Sequence, residues 1–168
     1  MPKEESIISG AKVKYKGTFD LEILYSKIRE WFMDQGYSDP CENGEKKYSE
    51  RIKPNGKTLE ILWEASKEGE NGYFKLDLNV TFFINSLNEV EVEKDGRKLK
   101  LHNCGIEVEF NSKFTENANN SWDENSFIFR IYRELGLKDR AEEFKIDLYN
   151  DSMNIMDEIK NFFNLYRF

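Results

Sequence analysis

Residues 74–84 read Phe-Lys-Leu-Asp-Leu-Asn-Val-Thr-Phe-Phe-Ile. Phe74, Leu76, Leu78, Val80, Phe82 and Ile84 alternate with Lys75, Asp77, Asn79, Thr81 and Phe83, the two-residue period of a strand with one dry and one wet face. A dry face of that length must be covered by other parts of the same chain, so the flanking segments decide the fold.

Tight turns lie on either side of this strand. Taking Asn55-Gly56 as a two-residue loop puts Ile52 opposite Leu59, Arg51 opposite Glu60, Tyr48 opposite Trp63 and Lys47 opposite Glu64. Taking Asp95-Gly96 likewise puts Glu93 opposite Lys98, Glu91 opposite Lys100, Glu89 opposite His102, and Val92 and Val90 opposite Leu99 and Leu101. The charged pairs are read as outward, and each contributes about 0.2–1 kcal/mol. Ile106, Val108 and Phe110 alternate with Glu107 and Glu109 in the last strand.

The ends of the chain supply a further strand and the cover. Ala11, Val13 and Tyr15 alternate with Lys12, Lys14 and Lys16, which predicts a strand over 11–18. Asp20 is placed as an N-cap ahead of Leu21, Leu24, Tyr25, Ile28, Trp31 and Phe32 at helical spacing, with Gly36 closing the helix. A second helix, capped by Asp123 or Ser121, carries Phe127, Ile128, Ile131, Tyr132 and Leu135 and ends near Gly136. The longest runs from about Asp139 to Leu165 with Ala141, Phe144, Leu148, Ile155, Ile159, Phe162 and Tyr166 on one stripe, and Asn150-Asp151-Ser152 is a point where it could bend. Residues 1–9 read as a flexible lead, and residues 10–168 as a single α+β domain. Its expected architecture is an antiparallel meander of about seven strands gripped by the long C-terminal helix.

Composition bounds the function. The 168 residues are 39% apolar with thirteen Phe and eight Tyr, enough to fill a core. Twenty-five basic against 32 acidic residues leave a net charge of −7, so a nucleic-acid backbone is not an expected partner. No apolar run approaches the ~20 residues of a membrane span. Met1–Ser6 lacks an apolar leader core, and two cysteines make no disulfide framework, so a reducing cytoplasmic setting is expected.

Lys12–Lys16 ahead of the helix Leu21–Gln35, then the two hairpins, then the helix Asp139–Leu165, resembles the helix-grip fold of the START and Bet v 1-like (SRPBCC) proteins. The extra helix at 123–135 departs from that pattern. The resemblance implies an apolar or amphipathic ligand held between the sheet and the last helix, in a superfamily whose members include cyclases, hydrolases, co-chaperones and carriers.

Candidate residues follow from these placements. Tyr15, Trp31, Phe32, Tyr48, Trp63, Phe74, Phe82, Phe110 and Phe162 either line a ligand cavity or fill the space under the helices. Glu50 falls on the dry face between Tyr48 and Ile52, opposite Ile61. Burial there would raise its pKa and suit it to acid–base work, whereas an edge position would return it to water. His102 and Cys104 lie two residues apart on one strand, a poor geometry for a thiol–imidazole pair, and two ligands make no metal site; Cys41 could join them in space, but nothing in the sequence requires it. The expected function is non-catalytic ligand binding without a cofactor. The alternatives are an interaction module using the charged sheet face or the aromatic C-terminus (Phe162, Phe163, Phe168), through a protein partner or a homodimer, and a cyclase or hydrolase using Glu50.

Overall fold

The computed structural model describes residues 2–42, 44–69, 72–120, 123 and 125–166. Five strands form one open antiparallel sheet: β1 (Lys3–Phe19), β2 (Glu45–Lys53), β3 (Gly56–Gly69), β4 (Phe74–Lys94) and β5 (Arg97–Glu116). They run in the order β1-β5-β4-β3-β2. Helix α1 (Leu21–Asp34) joins the two edge strands, so the chain crosses the whole sheet in that connection. Helix α2 (Phe127–Tyr132) passes through a wider, kinked turn at Arg133–Leu137 into α3 (Lys138–Asn164).

The strands number five, not seven, because β4 and β5 are 21 and 20 residues long and continue where two strands each were expected. A bulge between Asn85 and Asn88, with Ser86 at φ 52°, inserts one extra residue into β4 while β5 runs on evenly. One extra residue exchanges the two faces of a strand. The second hairpin has its expected register, with Glu89 opposite His102 and Glu93 opposite Lys98. Its charged ladder nevertheless lies on the helix side, where His102 meets the start of α1 and the exposed pairs nearer the turn extend past the helices, so these pairs do not point outward.

Three further expectations are corrected. Residues 3–6 are not a flexible lead but pair with residues 113–116 of β5, and the strand continues through a bulged stretch at Ser6–Ala11. The first hairpin turns on Pro54-Asn55, which slides the pairing by two residues and sets Tyr48 against Ile61 and Glu50 against Leu59. Finally, α3 runs unbroken through Asn150-Asp151-Ser152, where the buried Ser152 hydroxyl donates to the Leu148 carbonyl at 2.7 Å.

One face of the sheet forms the core. Phe74, Leu76, Leu78, Val80, Phe82 and Ile84 are all buried, together with Leu59, Ile61, Trp63 and Ala65 of β3 and Ile106, Val108, Phe110 and Phe114 of β5. Burying each large side chain contributes about 1.5–3 kcal/mol, which is why helices must cover this face. Asp20 caps α1 by accepting from the Ile23 N–H at 3.1 Å, and Gly36 takes φ 86° after the helix. On the exposed edge strand β1, Lys12 pairs with Glu107 at 2.8 Å; lysines and bulges of this kind deter edge-to-edge aggregation. Among the described residues no helix is long and apolar enough to cross a membrane.

Candidate functional site

Leu24, Ile28 and Trp31 of α1 stand at i, i+4 and i+7, and so do Ile155, Ile159 and Phe162 of α3. The two stripes face each other across a groove of about 300 Å³. Its apolar lining is rimmed by Lys27, Glu30 and Asp34 from α1 and Glu158 from α3, all exposed. The rim therefore carries three carboxylates and one ammonium. Lys27 Nζ lies 5.5 Å from the centre of the Phe162 ring, and Trp31 stacks on Tyr37 at 6.2 Å and meets the edge of Phe32 at 5.4 Å. An apolar floor under an acidic rim suits an amphipathic cation.

Of the aromatic residues singled out from the sequence, Trp31 and Phe162 line this groove. Trp63 and Phe82 meet under α1 at 4.9 Å between ring centres, and Tyr25 closes the cluster at 5.6 and 5.1 Å. The Tyr25 hydroxyl and Trp63 Nε1 are buried there without a hydrogen-bond partner among the described residues, a cost of roughly 1–3 kcal/mol apiece. Burial lifts the Tyr25 phenol above its usual range. Phe74 packs on Phe114 at 5.4 Å, Phe110 is fully buried, and Tyr15 stacks on Phe163 at 4.5 Å. These rings fill core positions.

Tyr48 and Glu50 sit on the helix side of edge strand β2, but the helices do not reach them. Tyr48 is 57% exposed and Glu50 is also exposed, pairing with Lys57 at 3.2 Å and accepting from the Tyr48 hydroxyl at 3.5 Å.

His102 is likewise on the helix side. Its Nδ1 accepts from the Leu21 N–H at 3.2 Å, at the start of α1. Cys104 is buried, and burial pushes its thiol up to about 12, so it is no nucleophile at neutral pH. Among the described residues, no three or more His, Cys, Asp and Glu side chains group so as to hold a metal.

A half-buried polar cluster escaped the sequence reading. The Tyr37 hydroxyl donates to Asp151 Oδ2 at 2.9 Å, and Lys67 Nζ donates to the same oxygen at 3.0 Å while lying 4.6 Å from the Tyr37 ring centre. Positions 37, 67 and 151 share no local pattern, so only the fold brings them together. Burial first, and then the Asp151 carboxylate, raise the Tyr37 phenol above its usual range. The phenol is held as a donor, and the cluster ties α1's exit, β3 and α3 into one frame.

A wider depression of about 510 Å³ involves Lys14, Lys16, Asn85, Asn103 and Glu107 around Gly105, where an added Cβ would meet Asn85 Oδ1 at 2.6 Å. Surface lysines and amides around an open depression define no particular ligand, and the smaller groove between apolar walls is the better candidate.

The fold and groove define an α+β protein with an open five-stranded antiparallel sheet and helices α1 and α3 on one face. No protein-family model matches the chain, and no curated protein matches it. Among solved structures it is similar to a putative uncharacterized protein from Rhizobium leguminosarum, at 9% identity over 92% of this chain and 99% of that one, with a TM-score of 0.20. A likeness at that score carries no argument.

Proposed function

We propose that this protein binds a small amphipathic molecule with a cationic head, without catalysing a reaction, in the groove between α1 and α3. The observation that carries the reading is the convergence of Leu24, Ile28 and Trp31 with Ile155, Ile159 and Phe162 beneath the carboxylates of Glu30, Asp34 and Glu158. About 300 Å³ is the lower end of the range for ligand sites, so the molecule is small or only its tail enters. The ligand space lies against the last helix, in keeping with the resemblance to helix-grip proteins, but between the two helices rather than between sheet and helix. A cytoplasmic setting is supported by two unpaired cysteines.

The test is calorimetric titration with decyltrimethylammonium below its micellar concentration, and with decyl sulfate as the anionic control. Saturable one-to-one binding of the cation is expected. It should be lost in Ile159→Trp, which fills the groove, and weakened about tenfold or more in the exposed double variant Glu30→Lys/Glu158→Lys, consistent with loss of ~1.4 kcal/mol or more. Equal binding of the two probes, or binding unchanged in the folded rim variant, overturns the reading.

An interaction module is the second reading, and the exposed apolar surface of α2 favours it. Of the aromatic C-terminal residues expected for that role, Phe162 and Phe163 are buried in the core, and Phe168 lies outside the described residues.

A further inference from the structure

Lys27 is itself an alkyl chain ending in a cation, the same chemistry as the groove's ligand, and it stands on the groove's own rim. Its Nζ lies 5.5 Å from the centre of the Phe162 ring. Two contacts fix how the walls run past each other. Tyr37, beyond the end of α1, meets Asp151 in the middle of α3, whereas Lys27, within α1, meets Phe162 near the end of α3. The two helices are therefore antiparallel. Glu30 and Glu158 each stand about one turn from the Lys27–Phe162 contact, both towards Asp34. The groove is thus polarised along its length, with an ammonium over an aromatic ring at one end and three carboxylates beyond it.

A lysine on a helix surface finds its ion-pair partners about three or four residues away. Glu30 is in that position, yet among the described residues Lys27 makes no ion pair and turns over Phe162 instead. A lysine in this pose covers apolar surface with its methylenes while its ammonium meets the ring's negative quadrupole.

We infer that Lys27 is a tethered occupant of the α1–α3 groove, holding the place of a ligand's cationic head over Phe162 until a ligand displaces it. This rests on the reading of the groove as a site for amphipathic cations and adds how that site is gated. Lys27 is exposed, so its chain swings aside without movement of the helices. The gate sets a threshold on affinity. An incoming cation must replace the ring contact that Lys27 already makes, and the two like charges repel until that chain leaves.

The deciding experiment is calorimetric titration of decyltrimethylammonium, below its micellar concentration, into the parent, Lys27→Gln, Lys27→Arg and Lys160→Gln. Both lysines are exposed, so folding is retained. Lys27→Gln should bind about three- to tenfold more tightly than the parent, because the occupant and its repulsion are both removed. Lys27→Arg, whose guanidinium also stacks on rings, should bind no more tightly than the parent. Lys160 borders a different depression beside β1, so Lys160→Gln removes the same charge without opening the groove. Its affinity should stay within about twofold of the parent. In lysine-labelled protein, the ε-methylene signal of Lys27, identified by its absence from Lys27→Arg, should move as the ligand saturates. Lys27→Gln that binds no better than the parent, an equal gain in Lys160→Gln, or a Lys27 signal unmoved at saturation overturns the inference. Saturable binding by the parent with no gain in Lys27→Gln leaves the groove reading standing and removes the gate. Absence of binding in both the parent and Lys27→Gln removes both.

Discussion

The Nδ1 of His102 accepts the Leu21 backbone N–H at 3.2 Å, so a strand residue paired with Glu89 satisfies the first amide of helix α1. The early N–H groups of a helix have no partner within it. Asp20 takes one and His102 takes another. Losing an N-terminal cap of this kind costs about 1 kcal/mol. His102→Ala should therefore lower the unfolding free energy by about 1 kcal/mol, seen as a lower urea midpoint at unchanged slope, and His102→Asn, which keeps an acceptor, should recover part of it. Equal stability in parent and His102→Ala would show that water replaces the imidazole at no cost.

Asp151 is the shared acceptor of Tyr37 and Lys67. Asp151→Ala leaves both donors without it inside a half-buried cluster and should destabilise by about 2–3 kcal/mol. Tyr37→Phe removes one bond and should cost about 1 kcal/mol. Because the groups share one network, the double variant should cost less than the sum of the two. Denaturant titration of the three variants checks this, and strict additivity would mean that Tyr37 and Asp151 are not coupled.

β4 shows how far the amino-acid order can be read. From Phe74 to Ile84 the alternation alone identifies the buried face, since the period of a strand is two and every even residue there is buried. Past Ile84 the same rule misplaces His102, because one extra residue at the bulge exchanges the faces and no glycine or proline within β4 marks it; the glycine there, Gly105, lies on the partner strand opposite Asn85. Asn85, Ser86 and Asn88 read equally well as a loop, hence the excess of expected strands. The first hairpin was ambiguous for a similar reason: Pro54-Asn55 and Asn55-Gly56 both make two-residue loops that leave the same residues facing the helices. The groove had its two halves in plain view as stripes on α1 and α3. Their meeting depends on β1 and β2 lying at opposite edges, which makes α1 cross the sheet beside α3. That is a property of strand order, and no residue spacing encodes it.

Glu50 bears on the enzymatic alternative. It is exposed on edge strand β2 and paired with Lys57 at 3.2 Å, and an exposed ion pair contributes about 0–1 kcal/mol. Glu50→Gln should leave thermal stability within a degree or two and leave decyltrimethylammonium binding unchanged. A loss of binding in that variant would move the site from the α1–α3 groove to the β2 edge.

The two cysteines should differ sharply in reactivity and in their effect at high pH. Cys41 is exposed and Cys104 is buried, so a thiol reagent should modify one site in the native protein and reach the second only on unfolding. Burial raises the Cys104 thiol from the usual value of 9.0 to about 12. The native state therefore holds a proton that the unfolded chain releases first. The associated stability is complete below pH 9 and is lost progressively as the pH climbs from 9 towards 12. Tyr25, raised by burial in the same way, adds to the loss at the upper end. Denaturant titrations from neutral to alkaline pH should show parent stability falling above pH 9, with a shallower fall in Cys104→Ala. Identical slopes in the two proteins would mean that Cys104 ionises in the native state as easily as in the unfolded chain, and hence that water reaches the strand beneath α1.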